Sequence, residues 1–393
     1  MHTIGPIIVT TVVDSKIFNS EIDTILIKVA SRCNINCTYC YVYHMGDDNW
    51  SRQSKFMSEE TIEAICEQLY HLSQTQQKLF SIVLHGGEPF LMGTKRLKDL
   101  LTKLRDVLPF SYPISIQSNG ILINNEILNT CSRFRASVAV SIDGPKEIHD
   151  KMRVGHNAEG TFDAVMRGIK VLQHHHDAKL LNAGLLAVID PESDPIEVYT
   201  FFKTLSAPSV DFLYRDGNFD RLPSGKRTVT SVEYGEWMTG LLNIYLSDND
   251  PLPIRIIDDM MKVLLGGFSC KEGMGVTDFG IIIIDTDGTI MKNDTLKSSY
   301  NGADCFDNPI NIKDRNLLNF LESSAFAEYR SMQRPRNQNC LSCPNLDLCG
   351  GGMILHRWSI ANGFENPSVY CSDQLYFIGN MKKALNDILE HHG

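Results

Sequence analysis

Cys33-Asn34-Ile35-Asn36-Cys37-Thr38-Tyr39-Cys40 sets three thiols at CxxxCxxC spacing, directly after the apolar run Ile25-Leu26-Ile27-Lys28-Val29. Three thiolates in a loop that ends a strand suit an iron–sulfur cluster with one iron left open. A zinc loop or three packed thiols is the competing reading, but zinc favours a fourth protein ligand and CxxC pairs. A second set, Cys340, Cys343, Cys349 and Cys371, supplies four thiolates. Four complete either a closed [4Fe–4S] cluster or a structural zinc site, and on spacing the two stand level. The first loop, which already argues for iron–sulfur chemistry, favours the cluster. Gly350-Gly351-Gly352, directly after Cys349, lets backbone approach it closely.

The elements that must position these loops follow a repeating order. Strands are expected near 25–29, 80–84, 112–117, 137–142, 181–189 and 210–214. Helical patterns separate them near 58–72, 94–107, 124–134, 164–173 and 195–205, with Ser58 a fitting N-cap. Six strand-then-helix units imply a parallel sheet with helices outside. His85-Gly86-Gly87-Glu88-Pro89, Ser118-Asn119-Gly120 and Asp143-Gly144-Pro145 each fall just after a strand. Sites in a barrel of this kind assemble at the carboxyl ends of the strands. The expected fold is therefore α/β, a partial (β/α)6 TIM-like barrel open on one side, which suits a large substrate.

Residues 1–20 read as a lead-in with a strand-like stretch at 7–13. A polar loop with Pro223, Ser224 and Gly225 ends a core domain of residues 1–225. A helical linker, 226–265, joins it to a cysteine-rich domain, 266–393, with a hairpin pattern at 281–290. A chain of 393 residues exceeds one ordinary core and is expected to divide in this way. The charge of −10 with no basic run argues against a nucleic-acid footprint. No stretch approaches the length of a membrane span, and the N-terminus lacks a signal peptide's pattern. Eleven cysteines without a secretion signal read as metal binding in a reducing, cytoplasmic setting.

Taken together, CNINCTYC, HGGEP, SNG and SIDGP resemble the motifs of the radical S-adenosylmethionine (SAM) enzymes. The C-terminal cysteines resemble their SPASM/twitch-type extension, so the resemblance spans roughly residues 22–380. Within that superfamily CYVYHMGDDNW at 40–50, NDTLK at 293–297, CGGGMILHRW at 349–358 and GFENPSVYC at 363–371 resemble the FxsB and XyeB type of peptide maturase. Those enzymes install three-residue cyclophane cross-links in ribosomally made precursor peptides.

The resemblance implies that Cys33, Cys37 and Cys40 hold three irons and that SAM chelates the fourth. It places Tyr39 against the cluster, brings Gly86 and Gly87 up to the methionyl amine with Glu88 nearby, and gives Ser141 and Arg153 contacts to SAM. An arginine there can pair with the SAM carboxylate. Ser118 and Asn119 are further contacts from the adjacent strand end. Cys340, Cys343, Cys349 and Cys371 hold an auxiliary [4Fe–4S] cluster, and a flavodoxin or ferredoxin supplies electrons.

The chain also departs from the pattern. Many SPASM proteins carry seven cysteines and two auxiliary clusters, whereas here Asn293 and Met353 stand where two of those cysteines are expected. One auxiliary cluster is therefore expected to be absent, with a partial site at Cys270 and Cys305 as the alternative. Asp294 falls where sulfatase-maturing relatives place a proton acceptor, which makes it the catalytic candidate for a cyclophane mechanism too; a polar turn residue is a reading of equal standing. Cys66 and Cys131 read as packing residues. His174-His175-His176 suits a helix C-terminus better than a metal, and Trp50, Trp237 and Trp358 read as core or interface residues. The rival functions are formylglycine formation of the sulfatase-maturase kind and a non-enzymatic zinc scaffold that binds peptides.

Overall fold

Six parallel strands form the first part of one continuous sheet: β1 (Thr24–Ala30), β2 (Ser81–Gly86), β3 (Ile114–Ser118), β4 (Ala136–Ser141), β5 (Asn182–Val188) and β6 (Val210–Leu213). The structure is a computed structural model that describes residues 21–269, 271–276 and 280–392. The strand-like stretch at 7–13 and Cys270 lie outside those residues. Helices Glu59–Thr75, Gly93–Val107, Asn125–Arg133, Phe162–His174 and Pro195–Thr204 connect the strands. They agree with the sequence periodicity to within a few residues. Ser58 caps the first of them, accepting from the Thr61 amide at 3.1 Å, which satisfies one of the helix's free N-terminal donors.

The strand order is β6-β5-β4-β3-β2-β1, with every neighbouring pair parallel. β6 and β1 do not pair with each other, so the sheet is a partial barrel rather than a closed one. Alternation along β1 explains its burial. Ile25, Ile27 and Val29 are fully buried, each worth about 1.5–3 kcal/mol of apolar burial. The intervening Lys28 is buried too and is held by carboxylates instead.

The second part of the chain continues the same sheet. β7 (Ile281–Ile284) pairs in parallel with β1, Thr24 opposite Ile281 and Ile27 opposite Ile284. β8 (Thr289–Met291) returns antiparallel to β7, and β9 (Ile310–Asn311) lies antiparallel to β8. The hairpin expected at 281–290 is present, but it is an extension of the barrel sheet. Helices Glu233–Ser247 and Arg255–Leu264 occupy the expected linker. The C-terminal helix, Cys371–His392, packs on Glu233–Ser247, where Asp373 accepts from the Gly235 amide at 2.9 Å and pairs with buried Lys226.

Candidate active site

The loop after β1 is fixed from two sides. Asn36 and Thr38 donate main-chain bonds to Val154 and Met152 at 2.7 and 2.9 Å. On the other side the Gly87 amide donates to Ala30 at 2.8 Å and the Glu88 amide to Arg32 at 3.0 Å. The two glycines are needed for that approach. Gly86 has φ +137°, and a Cβ there would lie 2.1 Å from the Ala30 carbonyl oxygen; at Gly87 it would lie 2.2 Å from that of Arg32. Contacts that short exclude any side chain.

The loop's three thiols sit close enough to repel one another as thiolates. Burial pushes Cys33 up to about 12 and Cys40 up to about 11, and raises Cys37 against the pull of Arg153. Such thiols ionise only with a cation among them, as metal ligands do. Among the described residues no three of these sulfurs lie within 4.8 Å of one another. A single tetrahedral zinc needs sulfurs about 3.8 Å apart, so the wider set fits a multi-iron cluster better.

Around the loop the strand ends present a polar ring. Arg153 Nη1 donates to the Tyr39 hydroxyl at 2.7 Å, and that hydroxyl donates to Asp143 Oδ2 at 2.7 Å. Arg153 is buried, and its Nε has no protein partner among the described residues. The Arg153 side chain lines the cavity described below, and a guanidinium there is a suitable seat for a carboxylate. Gln117 donates to the Ser141 hydroxyl at 2.9 Å. The Asn119 side chain donates to Asn34 at 2.8 Å and lies 3.6 Å from Cys33 Sγ. Glu88 is fully buried and does not reach the cavity; it accepts from Ser118, Asn119 and Phe90 at 2.9, 2.8 and 3.0 Å. Its role is to tie the HGGEP and SNG turns together.

The C-terminal cysteines also converge. Cys349 lies near enough to Cys371, Cys340 and Cys343 to feel all three charges, and burial pushes it up to about 12. Gly350, Gly351 and Gly352 all have left-handed φ, +64°, +81° and +68°, and a Cβ at Gly350 would lie 2.0 Å from the Gly275 carbonyl oxygen. Their freedom folds the chain tightly behind Cys349. Arg357, fully buried, faces Cys340 and Cys349; burial lowers it to about 10. A guanidinium there offsets thiolate charge. It stands in the HRW stretch, where a single charged residue in an apolar run was the available signal. Cys66 and Cys131 are buried in helices, as expected for packing residues. Cys305 lies beside Asp304 and Lys297.

One cavity of about 290 Å³ is lined by both cysteine sets, by Cys33, Cys37 and Cys40 of the first and by Cys349 of the second. Its side wall is largely apolar, with Leu186, Val188, Phe212, Met260 and Ile378 among its residues, and Tyr39, Gly86, Gly87, Ser118, Asn119, Ser141 and Arg153 all reach it. Asp294 does not line the cavity. Its carboxylate lies 2.8 Å from Lys28 Nζ, behind Tyr41 and His85. The carboxylates that do line it are Asp216 and Glu272, neither of which sequence reasoning singled out. His175 spends both ring nitrogens on Asn129 and the Asp177 amide, which leaves none for a metal.

Residues 27–185 match the model of the radical SAM superfamily. The cysteine-type anaerobic sulfatase-maturating enzyme of Clostridium novyi is 24% identical over 382 residues, covering 92% of this chain and 96% of that protein. The serine-type enzyme of Bacteroides thetaiotaomicron is 29% identical over 376 residues, covering 87% and 85%. Among solved structures, native anSMEcpe with bound AdoMet superimposes with a TM-score of 0.78 at 23% identity, over 93% of this chain and 98% of that one. Streptococcus suis SuiB bound to the precursor peptide SuiA gives 0.60 at 14% identity, over 86% and 72%. The chain thus carries a radical SAM core followed by a cysteine-rich C-terminal region. Such a core works with SAM and a [4Fe–4S] cluster, and the donor sets described above fit both these and an auxiliary [4Fe–4S] cluster.

Proposed function

We propose that this radical SAM enzyme is a peptide maturase that takes a hydrogen from a side-chain β-carbon and joins that carbon to a nearby aromatic ring. The observation that carries the reading is one cavity lined by both cysteine sets. A substrate held there would border both the residues proposed for the radical source and those proposed for an electron acceptor, as a net two-electron oxidation needs. Cys33, Cys37 and Cys40 would hold a cluster whose chemistry, with SAM, would be to supply a 5′-deoxyadenosyl radical.

The chain's own residues bind, orient and exclude water. Arg153, steadied by Tyr39 and Asp143, receives the SAM carboxylate. Gly86, Gly87, Ser141, Ser118 and Asn119 shape the remainder of that seat. The apolar wall accepts an aromatic side chain and keeps small hydrogen donors out, which holds one C–H bond in line. Cys340, Cys343, Cys349 and Cys371 would hold an auxiliary cluster in a SPASM-type domain, whose chemistry is to accept the second electron. A flavodoxin or ferredoxin is the fitting reductant. The substrate is a ribosomally made precursor peptide.

The test is anaerobic incubation of the reduced enzyme with SAM and the short peptide encoded beside its gene. The expected product is lighter by two hydrogens, inert to aldehyde reagents and cross-linked between ring and β-carbon. An unchanged peptide with SAM still cleaved would overturn the assignment. The full-length likeness to two sulfatase-maturating enzymes favours a second reading, oxidation of Cys or Ser to formylglycine. A hydrazine-reactive product from a sulfatase-motif peptide would establish it.

A further inference from the structure

Either oxidation releases one proton from the substrate as its second electron leaves, and something in the cavity must take that proton. Asp294, suggested by its position in the sequence, is outside the lining and pairs with Lys28. Of the two carboxylates in the lining, Glu272 is already engaged by the Asn293 amide. Asp216 is different. It follows β6 by three residues, at the carboxyl-end mouth of the barrel, and among the described residues its carboxylate has no ion pair or hydrogen bond. The cations that share the cavity wall are all committed elsewhere: Arg153 to Tyr39, Arg215 to Asp190 and Lys271 to Asp211.

We infer that Asp216 is the base that accepts the proton the peptide loses in the second half of its oxidation. This deepens the proposed function and rests on a net two-electron oxidation of a peptide in this cavity. In the cross-linking case the β-carbon radical forms a C–C bond to the ring. The adduct then loses its ring proton to the Asp216 carboxylate and one electron, which restores aromaticity; an auxiliary cluster, which Cys340, Cys343, Cys349 and Cys371 would hold, would take that electron. In the formylglycine case the same carboxylate takes the hydroxyl or thiol proton. The task calls for a base poised near working pH, and burial pushes Asp216 up to about 7. The titratable groups that face it are Tyr41 and Tyr370, both held protonated well above that range by burial.

The experiment compares wild type with Asp216→Asn and Asp216→Glu on the peptide that wild type oxidises, with the peptide β-carbon deuterated. Asp216→Asn is expected to keep deuterium transfer into 5′-deoxyadenosine within about twofold while oxidised product falls at least roughly tenfold. A substrate-centred radical then accumulates in electron paramagnetic resonance spectra. Asp216→Glu restores product. Independently of turnover, infrared titration of the wild-type protein should show a carboxyl band that ionises near neutral pH and is missing from Asp216→Asn. Oxidation by Asp216→Asn at the wild-type rate, or no such band, would overturn the inference. An aldehyde product from wild type would instead overturn the cross-linking reading and leave Asp216 to be judged by the same comparison.

Discussion

Arg153 donates to the Tyr39 hydroxyl at 2.7 Å and so fastens the cysteine loop to the end of β4 through Asp143. A charge-assisted bond of this kind is worth about 1.5–3 kcal/mol. Tyr39→Phe is therefore expected to weaken SAM binding roughly 10- to 100-fold while the iron content stays unchanged. Calorimetric titration with SAM and iron analysis on one preparation check both halves.

Gly87→Ala places a methyl group 2.2 Å from the Arg32 carbonyl oxygen and from the Tyr43 hydroxyl. The backbone on both sides is hydrogen-bonded and has little room to shift. The variant is expected to lose SAM cleavage and about half its iron, roughly four of eight per chain. Iron and sulfide analysis against soluble yield separates a lost cluster from a failed fold.

Cys349→Ser removes one of the four thiols proposed to hold the auxiliary cluster and leaves Cys33, Cys37 and Cys40 untouched. SAM cleavage is expected to continue at near wild-type rate while peptide oxidation falls at least roughly a hundredfold, with about four irons retained. Chromatography of 5′-deoxyadenosine beside mass spectrometry of the peptide reads the split.

Three buried histidines set an acid limit on stability. Burial lowers His85 to about 4, and His149 and His356 to about 3, with Arg153 and Arg357 adding to the last two. Near pH 6.5 the unfolded chain begins to bind protons that the folded state refuses. Stability is thus full above that pH and falls as pH drops toward the folded values, by up to about 1.4 kcal/mol per pH unit for each histidine. His356→Phe keeps the edge contact to Tyr370, now at 4.8 Å, and is expected to flatten the slope. Urea denaturation between pH 7.5 and 5.5 measures it.

Local pattern was enough for the parallel core and both cysteine sets, because strand periodicity, caps and tight loops are short-range features. The pairing of β7 with β1 joins residues more than 250 positions apart, and no local pattern encodes it. The same long range hid the partners of Asp294. It sits among Lys28, Asp285, Lys297, Asp47 and Asp304, a buried charge cluster that ties the cysteine loop's flank to the C-terminal region. Asp143 was visible within SIDGP, but only the fold brings Tyr39 and Arg153 to it. Asp216 carried no motif; its significance comes from lining the cavity without a partner.

The central claim is that a peptide β-carbon meets the radical within the cavity lined by both cysteine sets. Its most direct measurement uses a precursor peptide deuterated at the β-carbon of a residue other than Ser or Cys near its aromatic residue. The account expects one deuterium in 5′-deoxyadenosine and a cross-linked product lighter by one deuterium and one hydrogen. Unlabelled 5′-deoxyadenosine beside an intact peptide would contradict it.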